Sequence, residues 1–297
     1  MRILVLGASG MLGHVLAAEL TRYGFEVHGT LRTPRDLPGV PADRLHAGIH
    51  VEDPAGIEAL LDRLRPGAVV NAIGLIRQLP AAREPLPCIE INARFPHLLA
   101  AACARRGVRF IHYSTDCVFD GHKGSPYVES DPATAGDLYG LTKYLGEVQA
   151  PSLTLRTSII GPELQTRWGL LEWFLTQEGA VRGYTKAIYT GLTTVEQARV
   201  LARYVLPKPE LAGLYQVVSA PISKYDLLRL IARFYGKTLR IDPDDRVNED
   251  KRMSGAAFAA AVGYQAPEWP ELIEALHAFG RGRGIQDGRA TDGGGTL

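Results

Sequence analysis

"RILVLGASGMLG", residues 2–13, runs from an apolar strand into a helix through Gly7, Gly10 and Gly13. Beyond the glycines the apolar period changes: Met11, Leu12, Val15, Leu16 and Leu20 share one helical face, and Gly24 closes the segment. GxxGxxG alone is a weak signal. Placed in a strand-to-helix turn it has a mechanism, because glycine lets the backbone approach a pyrophosphate while the helix N-terminus supplies N–H groups and a positive dipole end. The alternative is a turn packed by glycine with no ligand. The expected dinucleotide-binding residues here are Gly7, Ser9, Gly10, Met11, Leu12 and Gly13.

The same alternation continues outward. "FEVHGTL" (25–31), "DRLHAGI" (43–49), "AVVNAIG" (68–74) and "VRFIHYS" (108–114) read as strands. "DPAGIEALLDRLRPG" (53–67) and the segment 88–107 read as the helices between them. Regular β-α-β order with apolar strands predicts an α/β fold, a doubly wound, Rossmann-like parallel sheet that binds ligands beyond the carboxyl ends of its strands. After residue 160 the order loosens: "GLLEWFL", "TTVEQARVLARYVL" and "KYDLLRLIARFYG" have helical character, and "GLYQVVS" reads as a strand. The expected division is a dinucleotide-binding domain over 1–160, a smaller C-terminal substrate-binding lobe over 161–280 that partly returns to the sheet domain, and a disordered Gly-rich tail over 281–297.

Composition narrows the function classes. Lys+Arg 33 against Asp+Glu 32 leaves no basic excess, which argues against a nucleic-acid partner. No apolar run approaches the ~18 residues of a membrane span. The N-terminus turns too soon to be a signal peptide. Cys88, Cys103 and Cys117 lie far apart without metal spacing, so no metal site is expected and a reducing, cytoplasmic setting fits.

Three further stretches carry chemistry. After the second strand comes "GTLRTPRD", with Arg32 and Arg35 and no acid before Asp36. A guanidinium suits a ribose 2′-phosphate, which favours NADPH over NADH; solvated loop arginines are the alternative. "YGLTK" places Tyr139 and Lys143 one helical turn apart. A phenol titrates near pH 10, and a neighbouring ammonium would lower that value toward useful proton exchange. "YSTDCVFDG" (113–121) ends an apolar strand with Ser114, Thr115 and Asp116, at the strand end where ligands gather.

Together "GASGMLG", "STDCVFDG", "YGLTKYLGE" and "LRTSIIGPE" resemble the extended short-chain dehydrogenase/reductase family, and within it the dTDP-4-dehydrorhamnose reductase-like branch. The resemblance covers residues 1–160 well and the remainder loosely. It implies that Thr115, with Ser114 and Asp116 beside it, meets the substrate, that Tyr139 donates the proton, and that Lys143 holds the ribose and tunes Tyr139. Asn71 and Ala72 would flank the cofactor. Asn92 falls on a further family motif, and for both asparagines a structural cap is the alternative. Sugar-nucleotide dehydratases follow the Thr with Asp-Glu, whereas here Asp116 is followed by Cys117. His50 stands where the family often has an acid near adenine, and reads as an exposed loop residue.

The resemblance implies NADPH-dependent reduction of a nucleotide-linked 4-keto-6-deoxy sugar in deoxysugar or surface polysaccharide biosynthesis, with a homodimer as the expected assembly. An epimerase or dehydratase, and a non-catalytic NADP-binding regulatory subunit, are the alternatives. In the second lobe Arg167 and Arg182 would meet the nucleotide diphosphate and Trp168 would stack on the base, with surface charge and lobe packing as the alternative; Lys251 or Arg252 would also meet the diphosphate, and the sequence does not choose between them.

Overall fold

The computed structural model describes residues 1–282. Strands β1 (Arg2–Leu6), β2 (Glu26–Thr30), β3 (Leu45–His46), β4 (Ala68–Asn71), β5 (Arg109–Ser114) and β6 (Leu153–Arg156) are joined by α1 (Met11–Arg22), α2 (Pro54–Leu64), α3 (Pro85–Cys88), α4 (Phe95–Ala104) and α5 (Leu138–Leu145). A π-helical stretch, Ile89–Arg94, links α3 to α4. Beyond them come β7 (Ile159–Ile160), α6 (Leu170–Thr176), β8 (Ala180–Tyr189), β9 (Leu192–Thr193), α7 (Thr194–Val200), β10 (Gly213–Gln216), β11 (Ile222–Ser223), α8 (Lys224–Tyr235), β12 (Arg240–Asp250), α9 (Ala256–Val262) and α10 (Trp269–Arg281).

Seven strands form one parallel sheet in the order β10-β6-β5-β4-β1-β2-β3. The expected doubly wound sheet is what the chain builds. Alternation along β1 shows why it needs helices on both faces: Ile3 and Val5 enter one core with α1, α7, α8 and α10, while Leu4 and Leu6 enter the other with α2 and α4. Local signals set the helix ends. Asp53 caps α2 by accepting from Gly56 N at 3.0 Å, with Pro54 in the first turn. Gly24, at φ 88°, lets the chain leave α1 in a left-handed turn.

The sheet changes direction between β1 and β4, so the two carboxyl ends diverge there and open a crevice. The C-terminal half does not form a separate block. β10 pairs with β6 at the edge of the main sheet, while β11, β8 and β12 make a second, three-stranded sheet. The expected disordered tail lies outside the described residues, except for Arg281, which ends α10, and Gly282.

Candidate active site

The glycine turn lies at the switch point. Gly7 adopts φ 77°, and a Cβ there would fall 2.8 Å from Ile73 in the turn after β4. At Gly13 a Cβ would meet the Gly7 carbonyl at 2.1 Å, so the helix can lie on its own turn only without a side chain. Thr30 ties the turn down: Gly7 N donates to its hydroxyl at 3.1 Å and Ala8 N to its carbonyl at 3.0 Å. Gly10 caps α1 with no side chain, so no capping group competes for the first N–H groups of the helix. Ser9, Gly10 and Met11 are accessible there, and Leu12 is buried.

Arg32 and Arg35 follow β2. Arg32 is exposed, and Arg35 lines an open cavity of ≈ 360 Å³ with Leu31, Pro34, Asp36 and Leu45. Among the described residues neither guanidinium has an ion-pair partner. His50 is exposed.

Asn71, at the end of β4, is buried and committed inward. Its amide donates to His112 Nδ1 at 3.1 Å and its oxygen accepts from Ile73 N at 3.1 Å. Its side chain therefore shapes the turn instead of facing a cofactor, and Ala72 presents backbone beside Gly7. Asn92, in the π-helical stretch, clamps the same turn by accepting from Leu75 N at 2.8 Å and donating to Leu75 O at 3.1 Å.

His112 is fully buried, and burial holds it well below its ordinary value of 6.5, with the Lys143 charge acting in the same direction. The neutral ring is the form that accepts from Asn71. Below pH 6.5 the unfolded chain takes up a proton that this ring refuses, so stability falls as pH falls. Urea unfolding at pH 7.5 and 5.5 should show this loss, and His112→Phe should reduce the slope. An equal slope in the variant would remove His112 as its source.

At the end of β5, Thr115 Oγ accepts from Cys117 N at 3.1 Å and donates to Asp116 Oδ1 at 3.2 Å. Ser114 does not face the cleft, contrary to the expectation that it meets substrate. It donates at 2.6 Å to Glu147, which forms a buried bidentate pair with Arg156 at 2.9 and 2.7 Å. Ser114 and Arg156 are register partners on β5 and β6, which puts them on one face. The Arg156 guanidinium also covers the Phe119 ring at 4.9 Å.

Asp137 caps α5 by accepting from Gly140 N at 2.7 Å. Gly140 lets the helix touch the turn after β5, since a Cβ there would sit 2.2 Å from Cys117 O. This packing brings Tyr139 to Thr115. Burial pushes the Tyr139 phenol well above its ordinary value, the charges of Cys117 and Asp116 add to this, and a hydrogen bond with Thr115 and the Arg77 cation oppose it. Lys143 donates to Tyr113 O at 2.7 Å, and burial lowers it to about 8 against the pull of Glu147. The downward pull expected from Lys143 on the phenol is thus not what sets Tyr139 in this arrangement, because the ammonium is turned to a backbone carbonyl.

The cations of the second lobe separate. Arg252 is held by Asp250 at 2.7 and 2.9 Å, and Lys251 pairs with Glu249 at 3.6 Å while its charge also reaches Cys117 in the cleft. Arg182 is not gathered at the cleft. It sits seven residues before Tyr189 on β8, about 23 Å away at strand spacing, opposite Asp244. Arg167 and Trp168 are exposed on the loop leading to α6, and that loop passes the glycine turn where a Cβ on Gly169 would meet Met11 at 2.7 Å. Sequence reasoning missed Arg77, the Glu147–Arg156 pair and Tyr189, whose buried phenol feels the Asp116 charge. Among the described residues no group of three or more His, Cys, Asp or Glu could hold a metal, and no helix is long and apolar enough to cross a membrane.

Residues 1–161 match the family described as RmlD substrate binding domain. The chain is 35% identical over 163 residues to a dTDP-4-dehydrorhamnose reductase of Burkholderia thailandensis, covering 53% of this chain and 50% of that one. It is 30% identical over 245 residues to the Escherichia coli K12 dTDP-4-dehydrorhamnose reductase, covering 78% of this chain and 77% of that one. The match thus spans about half the length of the Burkholderia protein and reaches further in the E. coli one. In fold it is similar to the Bacillus anthracis dTDP-4-dehydrorhamnose reductase solved in complex with NADP: TM-score 0.78, 18% identity, 94% of this chain and 99% of that one.

Proposed function

Because the chain belongs to the RmlD substrate binding domain family, we propose that it reduces the ketone of a nucleotide-linked 4-keto-6-deoxy sugar with NADPH, as the names of its relatives suggest. The observation that carries this reading is the meeting of Thr115 and Tyr139 beside the sheet's switch point, with Lys143 one turn further along α5.

The residues fit the cofactor. The glycine turn leaves no Cβ in the way of a pyrophosphate, α1 starts without a capping side chain, and Arg32 and Arg35 have no ion-pair partner among the described residues. NADPH, when bound, supplies the hydride. Thr115 hydrogen-bonds the ketone oxygen and holds it against Tyr139. Tyr139, kept protonated by burial, gives its proton to that oxygen as negative charge develops. Lys143, buried and still largely charged at neutral pH, holds ribose hydroxyls from beneath. Cys117, whose thiol burial raises to about 11, stays neutral beside the sugar and offers no acid/base couple with Asp116 for removing water. Lys251, whose charge reaches Cys117, is the cation of the second lobe that this reading gives to a substrate charge. A cytoplasmic setting is in keeping with three unpaired cysteines, and sedimentation of the purified chain tests the expected homodimer.

Cofactor choice follows from the arginines. NADPH should bind more tightly than NADH, and Arg32→Ala should narrow the gap, since a charge-assisted phosphate contact contributes about 1.5–3 kcal/mol. Calorimetric titration with both cofactors checks this, and equal wild-type affinities would contradict it. The activity itself is tested by NADPH oxidation over a panel of nucleotide-linked keto sugars.

A further inference from the structure

Arg77 stands where three parts of the cleft meet. It belongs to the turn after β4, which Asn92 clamps at Leu75 and which Leu79 N closes onto Ile76 O at 3.0 Å. Its guanidinium pairs with Asp137 Oδ2, while Asp137 Oδ1 caps α5 two residues before Tyr139. Gly140, the next residue, lies against the Cys117 carbonyl. The Arg77 side chain thus joins the turn on the cofactor side to the start of the helix bearing Tyr139, and that helix packs in turn on the turn bearing Thr115.

We propose that Arg77 is a positioning residue for the reaction: through Asp137 it fixes the start of the tyrosine helix and so the place of Tyr139 against the Thr115–Cys117 turn. The chemistry rests on the ketoreductase reading above. Charge effects agree with the geometry. Burial pushes both the Tyr139 phenol and the Cys117 thiol up, and the Arg77 cation works against that at both. Lys143, the cation the sequence nominates for this part, is engaged with Tyr113 O. The pair is not a stability device, because Arg77 is 52% exposed and Asp137 35%, and such pairs add little to folding.

The test uses the full-length protein with Arg77→Met and Arg77→Lys. Cys117 is half-buried, while Cys88 and Cys103 are buried, and peptide mass after iodoacetamide labelling reads Cys117 apart from the other two. At pH 9 the Arg77→Met labelling rate should fall about 3–10-fold, the scale of one removed charge screened by water, and Arg77→Lys should recover most of it. With a turned-over keto sugar, kcat of Arg77→Met should fall about 10-fold at unchanged KM for NADPH. Arg77→Lys should restore kcat. An unchanged labelling rate in Arg77→Met, or no recovery in Arg77→Lys, overturns the proposal. If no form turns over any keto sugar but the labelling pattern holds, the reductase reading falls and the charge assignment stands.

Discussion

Tyr139→Phe lowers kcat by about 10²–10⁴-fold, the usual scale of a lost general acid, and leaves NADPH affinity nearly unchanged. The ring keeps its packing and only the hydroxyl goes. In the wild type that hydroxyl is buried, protonated across the neutral range and in contact with Thr115. It is therefore ready to give a proton and needs no rearrangement to do so. Steady-state turnover with the best keto sugar of the panel, alongside fluorescence titration of NADPH, separates the two quantities. Near-normal kcat in the variant would show that the proton comes from elsewhere.

Arg156→Met destabilises the fold by about 3–5 kcal/mol, because it leaves Glu147 charged and buried without its partner. Both side chains are only 2–3% exposed. The remaining donor to Glu147, Ser114, is a single hydroxyl and does not carry a charge. Replacing both partners, Arg156→Met with Glu147→Leu, should cost much less than the single change, since no ion is then stranded. Urea unfolding of the three proteins measures this. A single variant within about 1 kcal/mol of wild type would mean that water reaches Glu147, and the network would lose the structural role assigned to it.

The first half of the chain was legible because its signals are local. The glycine turn, the Asp53 cap and the shift from strand to helix period all lie within a few residues of the element they define. β12 was not legible for the opposite reason. "RIDPDDRVNED" has almost no apolar alternation, only Asp244 of it is buried, and its pairing partner β8 lies some sixty residues earlier. The strand is held by backbone bonds at a sheet edge, which leave little trace in side-chain pattern.

Which neighbourhoods of the site residues the sequence showed follows the same rule. Lys143 and Tyr139 share a helix, so their spacing put them on one face. Ser114 and Thr115 are chain neighbours and point differently, and only the fold shows that Ser114 is taken by a carboxylate 33 residues away. Arg182 lies near the start of a ten-residue strand, within 4.0 Å of Asp244, a placement that its local sequence does not show. Lys251 and Arg252 stay level by this measure, since each is claimed by the acid two residues before it, Glu249 and Asp250. Arg77 had no sequence clue, because it sits in an aperiodic turn and its partner is 60 residues further on.

The central claim is that this cleft moves a hydride from NADPH to the sugar ketone and completes the reduction with a proton from Tyr139. The most direct measurement supplies the purified chain with a 4-keto-6-deoxy nucleotide sugar and NADPH deuterated at the transferred position. Reduction predicts one NADPH consumed per sugar, with deuterium at C4 of the product and a new hydroxyl there. An epimerised or dehydrated sugar formed without net NADPH oxidation would contradict it.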